Sequence, residues 1–247
     1  MRLFLLVLVF VVALGGFLAA SVPLASVLPL AAKAGLDLRY SEATGTIWGG
    51  RILDARAGNR DLGIVDVALA PAPLLRGTVS VSWRARGGDL EGAGRIRRAV
   101  SGAVTLERTV IQAELARFET WTPMDGPFEA RLSRVTFAPA GCQAADGTLE
   151  ARPRILLRGK PVPAPDLAGA VVCDGPALVL PLEGKDASGG VDIAIRLFPN
   201  GTYSARLAVE TQNKDLRAAM ETMGFERKVS GHEFVQDGQW GPGTGRR

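Results

Sequence analysis

From Thr78 to Arg86 the chain alternates: Val79, Val81, Trp83 and Ala85 are apolar, while Thr78, Ser80, Ser82, Arg84 and Arg86 are polar or charged. A period of two places the first set on one face of an extended strand and the second on the other, whereas a helix would scatter both around its circumference. Ile64–Ala70 repeats the pattern with Val65, Val67 and Leu69 on one side. Between these strands, Pro71 and Pro73 lack the N–H that a ladder needs, so residues 71–77 are predicted to be a connection. Further on, Val191, Ile193, Ile195 and Leu197 alternate with polar or small residues, and so do Tyr203, Ala205, Leu207 and Val209. Asn200-Gly201 lies between these runs and predicts a hairpin, because both residues accept positive φ. Asn200-Gly201-Thr202 also matches a glycosylation sequon, but a tight turn explains the same residues.

Further strands are expected over Thr44–Ala57, Gly88–Ala99, Gly102–Glu107, Phe128–Phe137, Thr148–Leu157, Gly169–Cys173 and Ala177–Leu182. Helical spacing is read twice. Ile111, Leu115 and Phe118 recur at i, i+4 and i+7 in Val110–Phe118, and Leu216, Ala219, Met220 and Met223 form a stripe in Asn213–Met223. Asn213 suits the N-cap of the second helix and Gly224 its stop. The expected fold is therefore mainly β, a curved antiparallel sheet with one or two short helices and about ten strands in sequence-local pairs. Val79, Val81 and Trp83 are expected to face a core covered by the two helices. Ser80, Ser82 and Arg84 are expected on the wet, substitution-tolerant face.

The amino-terminal pattern is different. From Leu3 to Val22 twenty residues are apolar or small, with Arg2 before them and no further charge until Lys33. A bilayer core about 30 Å thick needs roughly 20 such residues in a helix. A cleaved signal peptide would need a shorter core and a small-x-small site, and Leu18-Ala19-Ala20 and Pro23-Leu24-Ala25 are both poor matches. The expectation is an uncleaved anchor and cytoplasmic tail over 1–32, with Arg2 inside. A β-rich domain over 33–240 then lies in the periplasm, followed by a disordered tail over 241–247. About 215 residues follow position 32, enough for a real core.

Lys and Arg number 29 against 25 Asp and Glu, a net charge of +4. The basic residues are scattered, densest at Arg95, Arg97 and Arg98, so no nucleic-acid footprint is read. Cys142 and Cys173 are an even count in an oxidising compartment, which predicts one disulfide rather than two buried thiols. Closing a loop of 31 positions is worth about 3.5–4 kcal/mol in the chain-entropy model.

Catalytic and metal chemistry find little support. The single histidine, His232, lies near the carboxyl end and is expected at the surface. No serine or cysteine sits in a nucleophile-elbow setting, no glycine-rich loop carries a phosphate-binding lysine, and Cys spacing suits no metal site. Asp54 and Asp66 cannot be brought together from sequence. The sequence reads as no enzyme, with no cofactor and no metal.

One block does carry a resemblance. Ala43-Thr44-Gly45-Thr46-Ile47-Trp48-Gly49-Gly50-Arg51 resembles the segment that opens the periplasmic part of the type II secretion system protein N family. Asp66–Leu69, then Pro71-Ala72-Pro73-Leu74-Leu75-Arg76-Gly77, then Thr78-Val79 is similar to that family's strand, turn and strand. The resemblance implies one amino-terminal span at the inner membrane, a β-rich periplasmic domain, and a non-catalytic role in which that domain contacts other secretion subunits. AsmA-like envelope proteins use comparable units, and they imply an alternative in which lipid occupies an apolar sheet groove. The motifs cover about 40 residues, and the final third of the chain matches neither. Trp48 has a plain structural reading as the anchor of the first hairpin, its glycine neighbours allowing a sharp bend.

Overall fold

The computed structural model describes residues 38–58, 60–115, 124–157, 160–187, 189–229 and 231–239, together with 20–33 and positions 4, 10, 14 and 16–18. A helix, α1 (Leu24–Lys33), leads into β1 (Leu38–Arg39), β2 (Glu42–Thr46), β3 (Gly49–Ala57) and β4 (Arg60–Leu69). The prolines at 71 and 73 open a single helical turn, α2 (Pro71–Leu74). There follow β5 (Thr78–Arg86), β6 (Leu90–Ala99), β7 (Val104–Glu114), β8 (Met124–Asp125), β9 (Pro127–Ala138) and β10 (Gly141–Ala151). Shorter strands come next: β11 (Arg154–Leu157), β12 (Lys160–Pro163), β13 (Leu167–Ala170) and β14 (Val172–Asp174). The chain closes with β15 (Ala177–Asp186), β16 (Gly189–Leu197), β17 (Thr202–Thr211), α3 (Lys214–Thr222), β18 (Glu226–Lys228) and β19 (Gly231–Gln239).

Among the described residues sixteen strands form one sheet in the order β1-β3-β4-β5-β6-β7-β9-β10-β13-β15-β16-β17-β19-β18, with β2 on β3 and β14 on β15. A small second sheet joins β12, β11 and β8. Each pairing is antiparallel, as the sequence-local hairpins require. Most strands of the large sheet run nine to twelve residues, and β5 keeps the bounds its alternation predicts.

Three expectations fail here. The expected strand over Thr44–Ala57 is divided by a turn at Ile47 and Trp48 into β2 and β3, and that over Thr148–Leu157 ends in β10 at Ala151, with β11 in the second sheet. Val110–Glu114 is the second half of β7, not a helix: Val110 pairs with Arg131 and Ile111 with Ala130. The apolar positions at 111 and 115 satisfy a helix period and a strand period at once for so short a run, and pairing with β9 decides between them. The rest of that expected helix, residues 116–118, lies outside the described residues. The expected hairpin between β16 and β17 forms, with Gly201 at φ +80°. Asn200 uses its side-chain Oδ1 to accept from the Thr202 N–H (3.1 Å) and hydroxyl (2.7 Å), and Phe198 and Gly201 close a wider loop.

The main core lies on one face of the carboxyl-terminal part of the sheet. Leu182, Ile193, Leu207 and Val209 pack there with Leu216 and Met220 of α3 and with Phe225. Helix α3 starts at Asn213, whose Oδ1 accepts from the N–H groups of Asp215 and Leu216, and it stops before Gly224 at φ +90°. Met223 of the expected stripe falls at the C-cap and is exposed. Cys142 at the start of β10 and Cys173 in β14 are joined by a disulfide, their Cα atoms 5.5 Å apart. A smaller core of Leu24, Ile52 and Ala55 sits under α1 at the opposite end of the sheet.

Among the described residues no helix is long and apolar enough to cross a membrane. Most of the run from Leu3 to Val22 lies outside the described residues, as does the tail over 241–247.

Candidate functional site

The first hairpin fixes how the chain leaves its apolar amino-terminal segment. Ile47 and Trp48 form the two-residue turn between β2 and β3, with Thr46 opposite Gly49 and Gly45 opposite Gly50. Gly45 adopts φ +82°, and a Cβ on Gly50 would meet Leu24 Cδ2 at 2.7 Å. The glycines of this block therefore have separate duties: Gly45 supplies a left-handed turn, and Gly50 lets α1 approach the sheet. The Ile47 N–H donates to the Val22 carbonyl (3.1 Å), Pro23 bridges to Thr46, and the Ile47 carbonyl accepts from the Leu69 N–H (2.9 Å). Trp48 is half-buried at this junction.

The amino-terminal strands have two contrasting faces. On the apolar face one row runs Leu69, Val81, Ile96, Leu106, Val135 across five strands, and a second runs Val67, Trp83, Gly94. Coverage of this face is uneven. Val135 is 3% exposed, while Ile96 is 39% and Val79 46% exposed, and Val81 and Trp83 are half-buried. The expectation of a fully covered core at Val79, Val81 and Trp83 is corrected, because the expected helix over 110–118 that was to cover them is strand over 110–114. The Trp83 indole reaches over Gly92, where a Cβ would come within 3.2 Å of its ring, and its Nε1 is buried without a hydrogen-bond partner among the described residues.

The opposite face carries charge. Arg51 pairs across the ladder with Asp66, Asp66 with Arg84, and Ser82 with Arg95, which in turn faces Glu107. These side chains line a groove of about 730 Å³ that continues to Arg108. Asp66 accepts from Arg51 Nε (2.7 Å) and Arg86 Nη2 (2.5 Å), and the Arg51 hydrogen bond foremost holds its carboxyl below the usual carboxylate range. Glu107 is held by Arg97 (2.9 Å) with Arg134 at 3.9 Å. Arg84, Arg95 and Arg108 line the same groove without an ion pair among the described residues. Arg108 sits at a bulge, where Arg95 opposes Glu107 but Ala93 already opposes Val110, and its φ is +47°. Ser80, expected on the tolerant face, is 2% exposed; its carbonyl accepts from the Ala70 N–H beside α2, which packs on this strand.

His232 is another correction: it is 5% exposed, not a surface residue. It stands opposite Val209 on the core face beneath α3, with Nε2 3.4 Å from Glu221 Oε1. The single-histidine argument missed this because His232 alternates in phase with Phe234, a signal the β19 pattern did contain. Arg227 and then His232 lower the Glu221 carboxyl. Asp66 stands opposite Arg51 rather than Asp54, and Asp54 accepts from the Ser41 hydroxyl (2.7 Å), so the two carboxylates have separate partners.

Neither curated proteins nor solved structures yield a match to this chain. A family model does match, over residues 37–232, spanning both quoted motifs and nearly the whole sheet. The chain belongs to the type II secretion system (T2SS), protein N, family.

Proposed function

We propose that this chain is a non-catalytic inner-membrane component of the type II secretion machinery, held by one amino-terminal span, with its sheet in the periplasm contacting other assembly subunits. The observation that carries the reading is the family match from residue 37 to residue 232. The span is supported by the run of twenty apolar or small residues and by Phe4, Phe10, Phe17 and Leu18, large apolar side chains that the protein itself leaves exposed. Deleting the gene in its native host is expected to stop export of secreted hydrolases while leaving the outer membrane tight. Alkaline phosphatase fused after Arg247 is expected to be active, and the chain is expected to resist carbonate extraction.

A second reading draws on the incompletely covered apolar face at Val79 and Ile96. An AsmA-like envelope role would place acyl chains on that strip. Its signature is a leaky outer membrane with normal secretion in the same deletion strain.

A further inference from the structure

We propose that the charged groove across β3–β7 binds the phosphate-bearing headgroup of an anionic phospholipid at the outer surface of the membrane that holds the anchor, with Arg84, Arg95 and Arg108 as its cationic ligands. The inference rests on the anchored topology proposed above.

Three observations converge on it. The first is an excess of unspent positive charge. Both acids of the groove already hold two arginines each, whereas Arg84, Arg95 and Arg108 have no ion pair among the described residues. Arg84 lies opposite Ala93 and Arg95 opposite Ser82, so the two are diagonal neighbours on one face. Their floor is small, made of Ala68, Ser82 and Ala93, which leaves room for a group with several acceptor oxygens. Guanidinium is suited to phosphate because its planar fork donates to two oxygens at once.

The second is backbone strain at Arg108. A non-glycine residue at φ +47° is strained and persists where the surroundings impose it. Here the bulge inserts Arg108 and Thr109 opposite Gly94, where a Cβ would fall 2.3 Å from the Thr109 hydroxyl. Thr109 is thereby buried on one face and Arg108 turned to the groove side.

The third is position. The far rim of the groove is Thr44, Gly45, Gly49 and Gly50, the same hairpin whose Ile47 is hydrogen-bonded to Val22 at the end of the apolar run. With that run in a bilayer, the hairpin is held at the headgroup layer, and the groove opens beside it. A protein anion would have to compete there with a lipid surface present at far higher local concentration, which decides for the lipid.

The test uses the full-length chain in phosphatidylcholine nanodiscs doped with phosphatidylglycerol that carries a photoactivatable headgroup. Labelling is expected on β5–β7. Each cation at an anionic membrane surface contributes about fivefold in affinity. Arg108→Gly is therefore expected to lower labelling about fivefold and Arg84→Gln/Arg95→Gln about 25-fold, while Arg217→Gln on α3 leaves it unchanged. Arg108→Gly relieves the strained φ, so its melting temperature is expected to hold or rise, which separates lost binding from lost folding. Equal labelling in wild type and variants overturns the proposal. So does loss of label to millimolar inorganic phosphate, which assigns the site to the free ion, or to an acidic peptide at equal charge, which assigns it to a protein partner. A carbonate extraction of the same chain separates the two levels. An extractable chain sinks the anchored reading and this one with it, whereas an integral but unlabelled chain sinks the lipid site alone.

Discussion

Two rows of side chains, one in each half of the sheet, share a pattern and differ in fate. Leu182, Ile193, Leu207 and Phe234 stand opposite one another on four neighbouring strands, and so do Leu69, Val81, Ile96 and Leu106. The first row lies under α3, and Leu207 is 2% exposed. Among the described residues no helix crosses the middle of the second, and Ile96 remains open to solvent. Alternation fixes which residues share a face, but what covers that face comes from elsewhere in the chain. The carboxyl-terminal half is built as a closed core, and the amino-terminal half keeps both faces available: one apolar strip and one arginine-lined groove.

Truncation should divide the halves most sharply. Leu207→Ala removes a side chain enclosed by Leu216, Met220 and Val209 and is expected to cost about 4 kcal/mol, read as a shift in the urea midpoint at constant m-value. A cost as small as that of an exposed leucine would break the comparison. Replacing both Cys142 and Cys173 by serine frees a loop of 31 positions and is expected to cost about 3.5 kcal/mol under oxidising conditions, with no difference once wild type is reduced. Labelling of unreduced, denatured protein is expected to find no free thiol. Trp83→Ala probes the open half. A fully buried Trp loses about 3–5 kcal/mol on truncation, but this indole is half-buried and its N–H has no partner among the described residues, so about 2 kcal/mol is expected. A loss equal to that of Leu207→Ala would mean that the two halves are equally closed.

The same division explains what could be read from the sequence. Strand β5 and the β16–β17 hairpin were legible because one face of each is buried and the other wet, which imprints a period of two. Asn213 and Gly224 marked α3 because caps are local chemistry. The segment at 110–114 misled because a short apolar spacing satisfies two periods, and only its pairing with β9 resolves it. The groove was illegible for another reason: Arg84, Arg95 and Arg108 meet only through the register of three strands and a bulge at Arg108. Arg95 stood in the densest basic cluster of the chain, but its neighbours Arg97 and Arg98 belong to other surroundings, since Arg97 is spent on Glu107. The family motif was legible as a pattern, and its cause became visible only in the contact between Gly50 and Leu24.

The smallest effect concerns the one carboxylate that ties β3, β4 and β5 together on the groove side. Asp66 is held below its ordinary value of 3.8, first by the Arg51 hydrogen bond and then by the charges of Arg51 and Arg86. A carboxylate with a lowered folded pKa contributes stability that is present above the unfolded value and lost as pH falls through the folded one. The contribution of Asp66 is thus full at neutral pH and fades below about pH 3.8. Because the group is open to water, Asp66→Asn is expected to cost only about 0.5 kcal/mol at pH 6. Urea midpoints of wild type and variant, followed downward in pH, should converge as the wild-type carboxylate takes up its proton. The variant also leaves Arg51 and Arg86 unneutralised beside Arg84, which should raise its labelling by anionic lipid as its stability falls slightly. A gap that stays constant from pH 6 to pH 3 would show that Asp66 acts through shape rather than charge, and that the groove owes its character to the other residues alone.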